Sequence, residues 1–452
     1  MDVLDLTRLQ FAVVTIYHYL FVPLSISLAA VAAGLQVGWL RTGASRYWDL
    51  TRFVGKVLIV TFAVGVVTGL VQEFQFGLGW SNFARFYGDV FGPTLAIEGM
   101  LAFFLEATFL ALWYFGADRL PRALHLATIL VVSAGTVLSA FIILAANSFM
   151  QNPVAYALDP LTGRARLTSF GDLLLNKVNL VAFPHTLSGA VMVGGALLLA
   201  IGVWRRHADA AFATLARLGA WLTLTGGVLT AFTGDRLGKV ITEVQPMKMA
   251  AAEALYATTT GAPFSLFATG KPLPSFSIGI PDLLSILAKG SPGATVQGID
   301  DLQAQYAAQF GAGSYVPMVP VAFWSFRLMI GAGMLAALVA AVYLWTTRKG
   351  RTPHRLLVRF LPLVPLLPAA ANTLGWIFTE TARQPWIAFG IAKVADGLSP
   401  GLTRGEVLAS LLGFAVVYGV LAVVWLRLVR HLARQPLAAP QAVPDVDAVP
   451  AY

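Results

Sequence analysis

Cysteine is absent from the 452 residues, which excludes a disulfide framework, a thiolate-held cluster and a covalent haem of the CxxCH kind. Charge is nearly as scarce. Only 12% of residues are Asp, Glu, Lys or Arg, against about a quarter in an ordinary soluble domain. A basic tract is also lacking: the formal net charge is +9, but the Lys and Arg are dispersed at the ends of apolar runs, so no nucleic-acid partner is expected. No internal repeat is visible. No basic region or small-residue cleavage site accompanies the first apolar stretch, which reads as a retained helix.

What is abundant is apolar sequence, 57% of the chain, in runs longer than the ~20 residues that cross a hydrocarbon core of about 30 Å. These runs predict an all-α polytopic membrane helix bundle with nine spans, near 12–40, 54–73, 94–116, 124–147, 181–204, 217–233, 319–346, 357–380 and 406–429. The first, third, fifth, seventh and ninth spans end in basic clusters, beginning at Arg41, Arg119, Arg205, Arg348 and Arg427, which hold 17 of the 31 Lys and Arg. By the positive-inside rule those ends are cytoplasmic and the N-terminus is outside; an even span count would put the basic tail on the wrong side. The chain then divides into helices 1–6 over 1–233, an extracytoplasmic loop over 234–318, helices 7–9 over 319–434 and a Pro- and Ala-rich tail over 435–452, expected to be disordered and cytoplasmic. The loop has Pro, Gly and Ser clusters at 271–275 and 289–293 and no spanning run. A structureless stretch of that length points to function or disorder.

A charge inside a bilayer is costly, so each one is a functional hypothesis. Of the six His, His125, His207, His354 and His431 fall in or beside basic loops and read as solvated. His18 and His185 lie inside apolar segments, near the outer ends of the first and fifth spans. The intramembrane acids are Glu98 and Glu106 on the third span and Glu380 near the outer end of the eighth. Arg327 lies on the seventh, two residues before Met329. At 1.5 Å per residue, Glu106 is about 12 Å deeper than Glu98. Every other group in this set clusters toward the outer leaflet.

Three classes of function compete for that cluster. A haem-free proton-coupled transporter uses His, Glu and Arg, but near the midplane and between repeats. A purely structural bundle has no use for so many buried charges. A haem protein needs axial ligands, typically His, Met, Cys or Tyr, on facing helices; His18, His185 and Met329 can supply them, with carboxylates and an Arg for the propionates. Two intramembrane His are too few for a two-haem quinol–cytochrome c subunit or a haem–copper oxidase, which leaves a haem protein that makes do with His, Met and carboxylate.

A series of short motifs runs in register through the chain. They are Thr7-Arg8-Leu9-Gln10-Phe11, Tyr17-His18-Tyr19-Leu20-Phe21, Thr68-Gly69, Glu73-Phe74-Gln75-Phe76-Gly77 and Leu95-Ala96-Ile97-Glu98-Gly99. Further on stand Leu105-Glu106-Ala107, Ala146-Asn147, Met150-Gln151-Asn152-Pro153, Pro184-His185-Thr186, Phe326-Arg327-Leu328-Met329, Gly375-Trp376 and Glu380-Thr381-Ala382-Arg383-Gln384-Pro385-Trp386. The loop adds Gln245-Pro246-Met247-Lys248 and, five residues on, Glu253. Over essentially all of residues 1–435 this pattern resembles subunit I of the cytochrome bd-type quinol oxidases, in their short quinol-loop class. Asn147-Ser148-Phe149 departs from it where other members often have Asn-Gly-Trp.

The resemblance implies a bacterial cytoplasmic-membrane oxidase with quinol and O2 as substrates. Its cofactors would be heme b558, heme b595 and heme d, or a b-type heme in place of the last. Its partners would be a second large membrane subunit (subunit II) and a small single-helix subunit. It implies His185 and Met329 as ligands of the low-spin haem, with Arg327 near its propionates. His18, Glu98 and Glu380 would serve the two high-spin haems, Trp376 would pack between haems, and Arg383 would neutralise propionates. Lys248 and Glu253 would hydrogen-bond the quinol headgroup and take its proton. Quinol protons would leave outside and the protons for water would come from the cytoplasm, with Glu106 as stepping stone and Ser139 and Thr108 supplying hydroxyls.

Overall fold

The computed structural model describes residues 1–269 and 276–437. Among them, nine helical stretches are long and apolar enough to cross a membrane. The first is broken into α1 (Val3–Tyr19) and α2 (Val22–Thr42) rather than continuous as expected. Pro23, in the first turn of α2, has no N–H to return to the preceding turn, so the ladder stops just ahead of it. After α3 (Ser45–Leu78), the third span is a composite of α4 (Ser81–Gly99), a π-helical segment (Met100–Glu106) and α5 (Ala107–Phe115). Then come α6 (Arg122–Gln151), a small hairpin with the short α7 (Phe170–Leu174), α8 (Lys177–Arg205) and α9 (Ala210–Val244). The connection that follows holds α10 (Pro246–Glu253), α11 (Leu283–Lys289), α12 (Ile299–Phe310) and a ribbon pairing Phe264–Thr269 with Phe276–Ile280. The spans α13 (Val319–Thr347), α14 (Arg355–Phe360) leading into α15 (Leu366–Thr381), and α16 (Arg404–Arg434) complete the chain.

Helices overrun their apolar cores at both ends. α9 continues past the expected boundary at 233 because polar residues there still favour helix: Lys239 and Asp235 form an ion pair of 2.7 Å one turn apart. The connection beyond it is not structureless, as its length and Gly/Pro content suggested. Ala250, Ala251 and Ala252 of α10 are fully buried against Ile299, Leu302, Val319 and Phe378, giving it a core of its own on top of the bundle. The cluster at 271–275 lies outside the described residues, and so does the tail from 438.

α8 and α9 touch backbone to backbone. A Cβ on Gly219 would lie 2.3 Å from the Leu199 nitrogen, and one on Gly202 would lie 2.4 Å from the Ala216 nitrogen. Small residues allow this approach, which in lipid replaces the missing hydrophobic drive between helices. Gly219→Leu is expected to cost about 3 kcal/mol or more through overpacking, seen as a lower midpoint of thermal unfolding and less assembled protein in the membrane.

His125 corrects the reading of it as a solvated loop histidine. It is 3% exposed. Its Nε2–H donates to the Trp113 carbonyl at 2.7 Å, and its Nδ1 accepts from Gln36 Nε2 at 2.8 Å. Gln36 Oε1 in turn accepts from Trp113 Nε1 at 2.9 Å. The ring is fully satisfied and ties α2, α5 and α6 together. His207, His354 and His431 are exposed, as expected.

Candidate functional site

The two intramembrane imidazoles are held in a defined tautomer. His185, on α8, directs Nδ1 at the Thr230 carbonyl (3.1 Å) and at Thr233 Oγ1 (3.3 Å), both on the adjacent α9. A carbonyl only accepts, and the Thr233 hydroxyl already donates to Leu229 O at 2.7 Å, so Nδ1 carries the proton and Nε2 keeps its lone pair. His18, in the last turn of α1, does the same. Its Nδ1 lies 3.0 Å from Thr68 Oγ1, whose own hydrogen goes to the Val64 carbonyl at 2.9 Å. Glycine flanks all three soft donors. A Cβ on Gly234 would come within 3.2 Å of His185, one on Gly69 within 3.1 Å of His18, and one on Gly375 within 3.0 Å of the Met329 sulfur.

α15 is the element around which these groups gather. Asn372 lies against Gly189 of α8, and Gly375 against Met329 of α13. Trp376 meets Tyr19 of α1 edge to face, with ring centroids 5.2 Å apart. The Tyr19 hydroxyl also reaches Thr186, next to His185. Glu380 accepts from Asn147 Nδ2 of α6 at 3.1 Å and pairs with Arg383. Arg383 is buried, and its second contact is the Ile387 carbonyl.

The two acids of the third span face α6. Ser139 Oγ donates to Glu98 Oε1 at 3.1 Å, and one turn away a Cβ on Gly135 would lie 3.1 Å from Glu106 Cγ. The π-helical segment separates Glu98 from Glu106, so a regular α-helical rise does not describe their spacing. Both still reach the same seam. Of the two hydroxyls expected beside them, Ser139 is there, whereas Thr108 is exposed on the outer face of α5.

The charged groups of the loop are drawn inward. Lys248 is 3% exposed, with Nζ donating to Gln151 Oε1 and to Thr379 O, each at 3.0 Å. Burial pushes its ammonium down to about 7. Glu253 is 2% exposed and pairs with Arg327 at 2.5 Å. Burial pushes this carboxyl up to about 7 even though the guanidinium opposes the shift. Among the described residues, Glu253 Oε1 has no hydrogen-bond partner. Arg327 also donates to the carbonyls of Ser265 (2.7 Å) and Ala252, and is ringed by Phe264, Phe323 and Phe326. The arginine expected near propionates thus clamps the loop onto α13, two residues before Met329.

Among the described residues, no three of His, Cys, Asp or Glu converge as a metal cluster would require. Single imidazole and thioether donors, each with its other polar atoms satisfied and a glycine beside it, fit the axial ligation of a haem instead. Sequence reasoning missed the orienting groups Thr230 and Thr233; the Thr68-Gly69 pair was present as a motif without a role.

Fold and site together define a polytopic helical membrane protein with the donor set that haem proteins use. The family model for cytochrome bd terminal oxidase subunit I matches residues 6–437, and the chain belongs to that family. It is 40% identical over 430 residues to cytochrome bd ubiquinol oxidase subunit 1 of Bacillus subtilis, covering 93% of this chain and 91% of that protein. It is 33% identical to cytochrome bd-II ubiquinol oxidase subunit 1 of Escherichia coli, covering 96% of each. The fold is similar to the solved structure of the bd oxidase from Geobacillus thermodenitrificans, with a TM-score of 0.86 at 28% identity, over 96% of this chain and 98% of that one.

Proposed function

We propose that this subunit oxidises quinol at the outer end of its bundle and reduces O2 to water within it, and that His185 and Met329 hold a low-spin b haem. His18, Glu98 and Glu380 serve two high-spin haems, heme b595 and heme d or a b-type heme in its place. Trp376 packs between these pockets, and Arg383 and Arg327 supply positive charge near them. The observation that carries this reading is the pair of locked imidazoles, each spending Nδ1 on an acceptor and leaving Nε2 for iron. When bound, the haems supply the electron transfer and oxygen reduction that no side chain here performs.

The chain's own residues handle quinol and protons. Glu253 Oε1, buried and without a partner among the described residues, accepts a proton from a quinol hydroxyl, and Lys248 stands five residues before it on α10. Glu106 passes protons arriving from the basic, cytoplasmic ends of the helices toward Glu98 and Ser139. The N-terminus is then outside and the tail cytoplasmic. Drawing the protons for water from the side opposite to quinol oxidation is what moves charge across the membrane. Subunit II and a small single-helix subunit complete the complex.

A dithionite-reduced minus oxidised absorption spectrum of the purified complex tests the assignment. Low-spin and high-spin haem signals are expected, and a red chlorin band identifies the third haem as d; a preparation without haem would contradict the assignment of His18, His185 and Met329 as ligands. A pH profile tests the base. Glu253 accepts a proton only when ionised, and its carboxyl sits near 7, so kcat/KM for quinol should fall about tenfold per pH unit below that value. Glu253→Gln should abolish this acid limb; a limb unchanged in the variant assigns the base elsewhere.

A further inference from the structure

Two motifs, Ala146-Asn147 and Met150-Gln151-Asn152-Pro153, have no part in the function just described. Asn147 and Gln151 stand one turn apart on α6, and they close a chain of hydrogen bonds between α10 and α15. Lys248 Nζ donates to Gln151 Oε1 at 3.0 Å, Gln151 Nε2 to Asn147 Oδ1 at 3.5 Å, and Asn147 Nδ2 to Glu380 Oε1 at 3.1 Å. Every link donates in the same direction, from an amine at one end to a carboxyl at the other, so each bond polarises the next. Gln151 is 2% exposed, so bulk solvent does not reach the middle of the chain to screen it. Its backbone is fixed as well, since its carbonyl accepts from Gln245 Nε2 at 2.8 Å, the residue that opens α10. The second bond of Lys248 ends on the backbone of Thr379, next to Glu380, and the two charges also attract through space, so Lys248→Met has a direct share that Gln151→Leu lacks.

We propose that Gln151 is a positioning residue that, through Asn147, ties Lys248 of the loop to the hydrogen bond orienting and partly neutralising Glu380. The inference rests on the reading of Glu380 as part of a high-spin haem pocket. Under it, the loop that meets quinol and the pocket that reduces O2 share one electrostatic connection. Asn147 draws negative charge off the carboxyl. Cutting the chain leaves that charge in place, which favours the oxidised state of a neighbouring iron.

The test is a spectroelectrochemical titration of the purified oxidase complex carrying Gln151→Leu, Lys248→Met, both together, or Glu380→Gln. Each of the first two variants should lower the midpoint potential of a high-spin band while the low-spin band stays in place. The double variant should shift it no further than the larger single one, as for two members of one chain. Unmoved high-spin potentials in Gln151→Leu, additive shifts in the double variant, or an equal shift of every haem band would each overturn the proposal. Glu380→Gln keeps the two readings apart. High-spin bands left unchanged by it remove the pocket assignment, whereas altered bands there with unmoved ones in Gln151→Leu remove only the connection. If Gln151→Leu does not assemble, Gln151→Met takes its place with the same expectation, because it keeps the length of the side chain, adds no charge and has no amide to offer Asn147.

Discussion

His185→Ala is expected to erase the low-spin b signal from the reduced spectrum while the high-spin bands persist, and quinol oxidation should fall by about two orders of magnitude or more. The reasoning is geometric. His185 is the one imidazole on α8, and its Nδ1 is already committed to α9, which leaves Nε2 alone for iron. Met329→Leu should act on the same signal, because it keeps the side-chain volume next to Gly375 and removes only the sulfur. The orienting groups should have a milder effect. Thr68→Val, which leaves His18 without its hydroxyl acceptor, should cost about 10–100-fold in activity or haem affinity at the high-spin site and leave the low-spin band intact.

Glu106→Gln should slow oxygen consumption about 100-fold or more, the range lost when a proton-transferring group is removed, with every haem still bound. Glu106 is 4% exposed and packs at Gly135 of α6, so an amide of equal volume keeps the packing. A variant with normal turnover and full haem content would place the proton route elsewhere. Loss of haem in the variant would make Glu106 a structural residue.

The nine spans were legible because apolar residues dominate each over ~20 residues, enough to outweigh the few charges inside them. Features that depend on a single bond or a single pairing were not. Nothing in the local pattern distinguishes the π-helical turn at Met100–Glu106 from the α-helix around it. His125 sits beside basic residues in the sequence, yet its burial is decided by Gln36 and Trp113 on two other helices. Lys248 and Glu253 resemble solvated loop charges for the same reason: the partners that bury them, Gln151 and Arg327, lie on distant spans. Candidate ligands could be named from residue type, depth and the family pattern, whereas the threonines that set their tautomers become visible only once α8 meets α9 and α1 meets α3.

Near-infrared magnetic circular dichroism of the oxidised complex examines the donor set directly, since the charge-transfer band of a low-spin ferric haem reports its pair of axial ligands. The proposed ligation predicts a histidine–methionine signature that vanishes in Met329→Leu. A bis-histidine signature, or one untouched by that substitution, would contradict the assignment of His185 and Met329 to one iron.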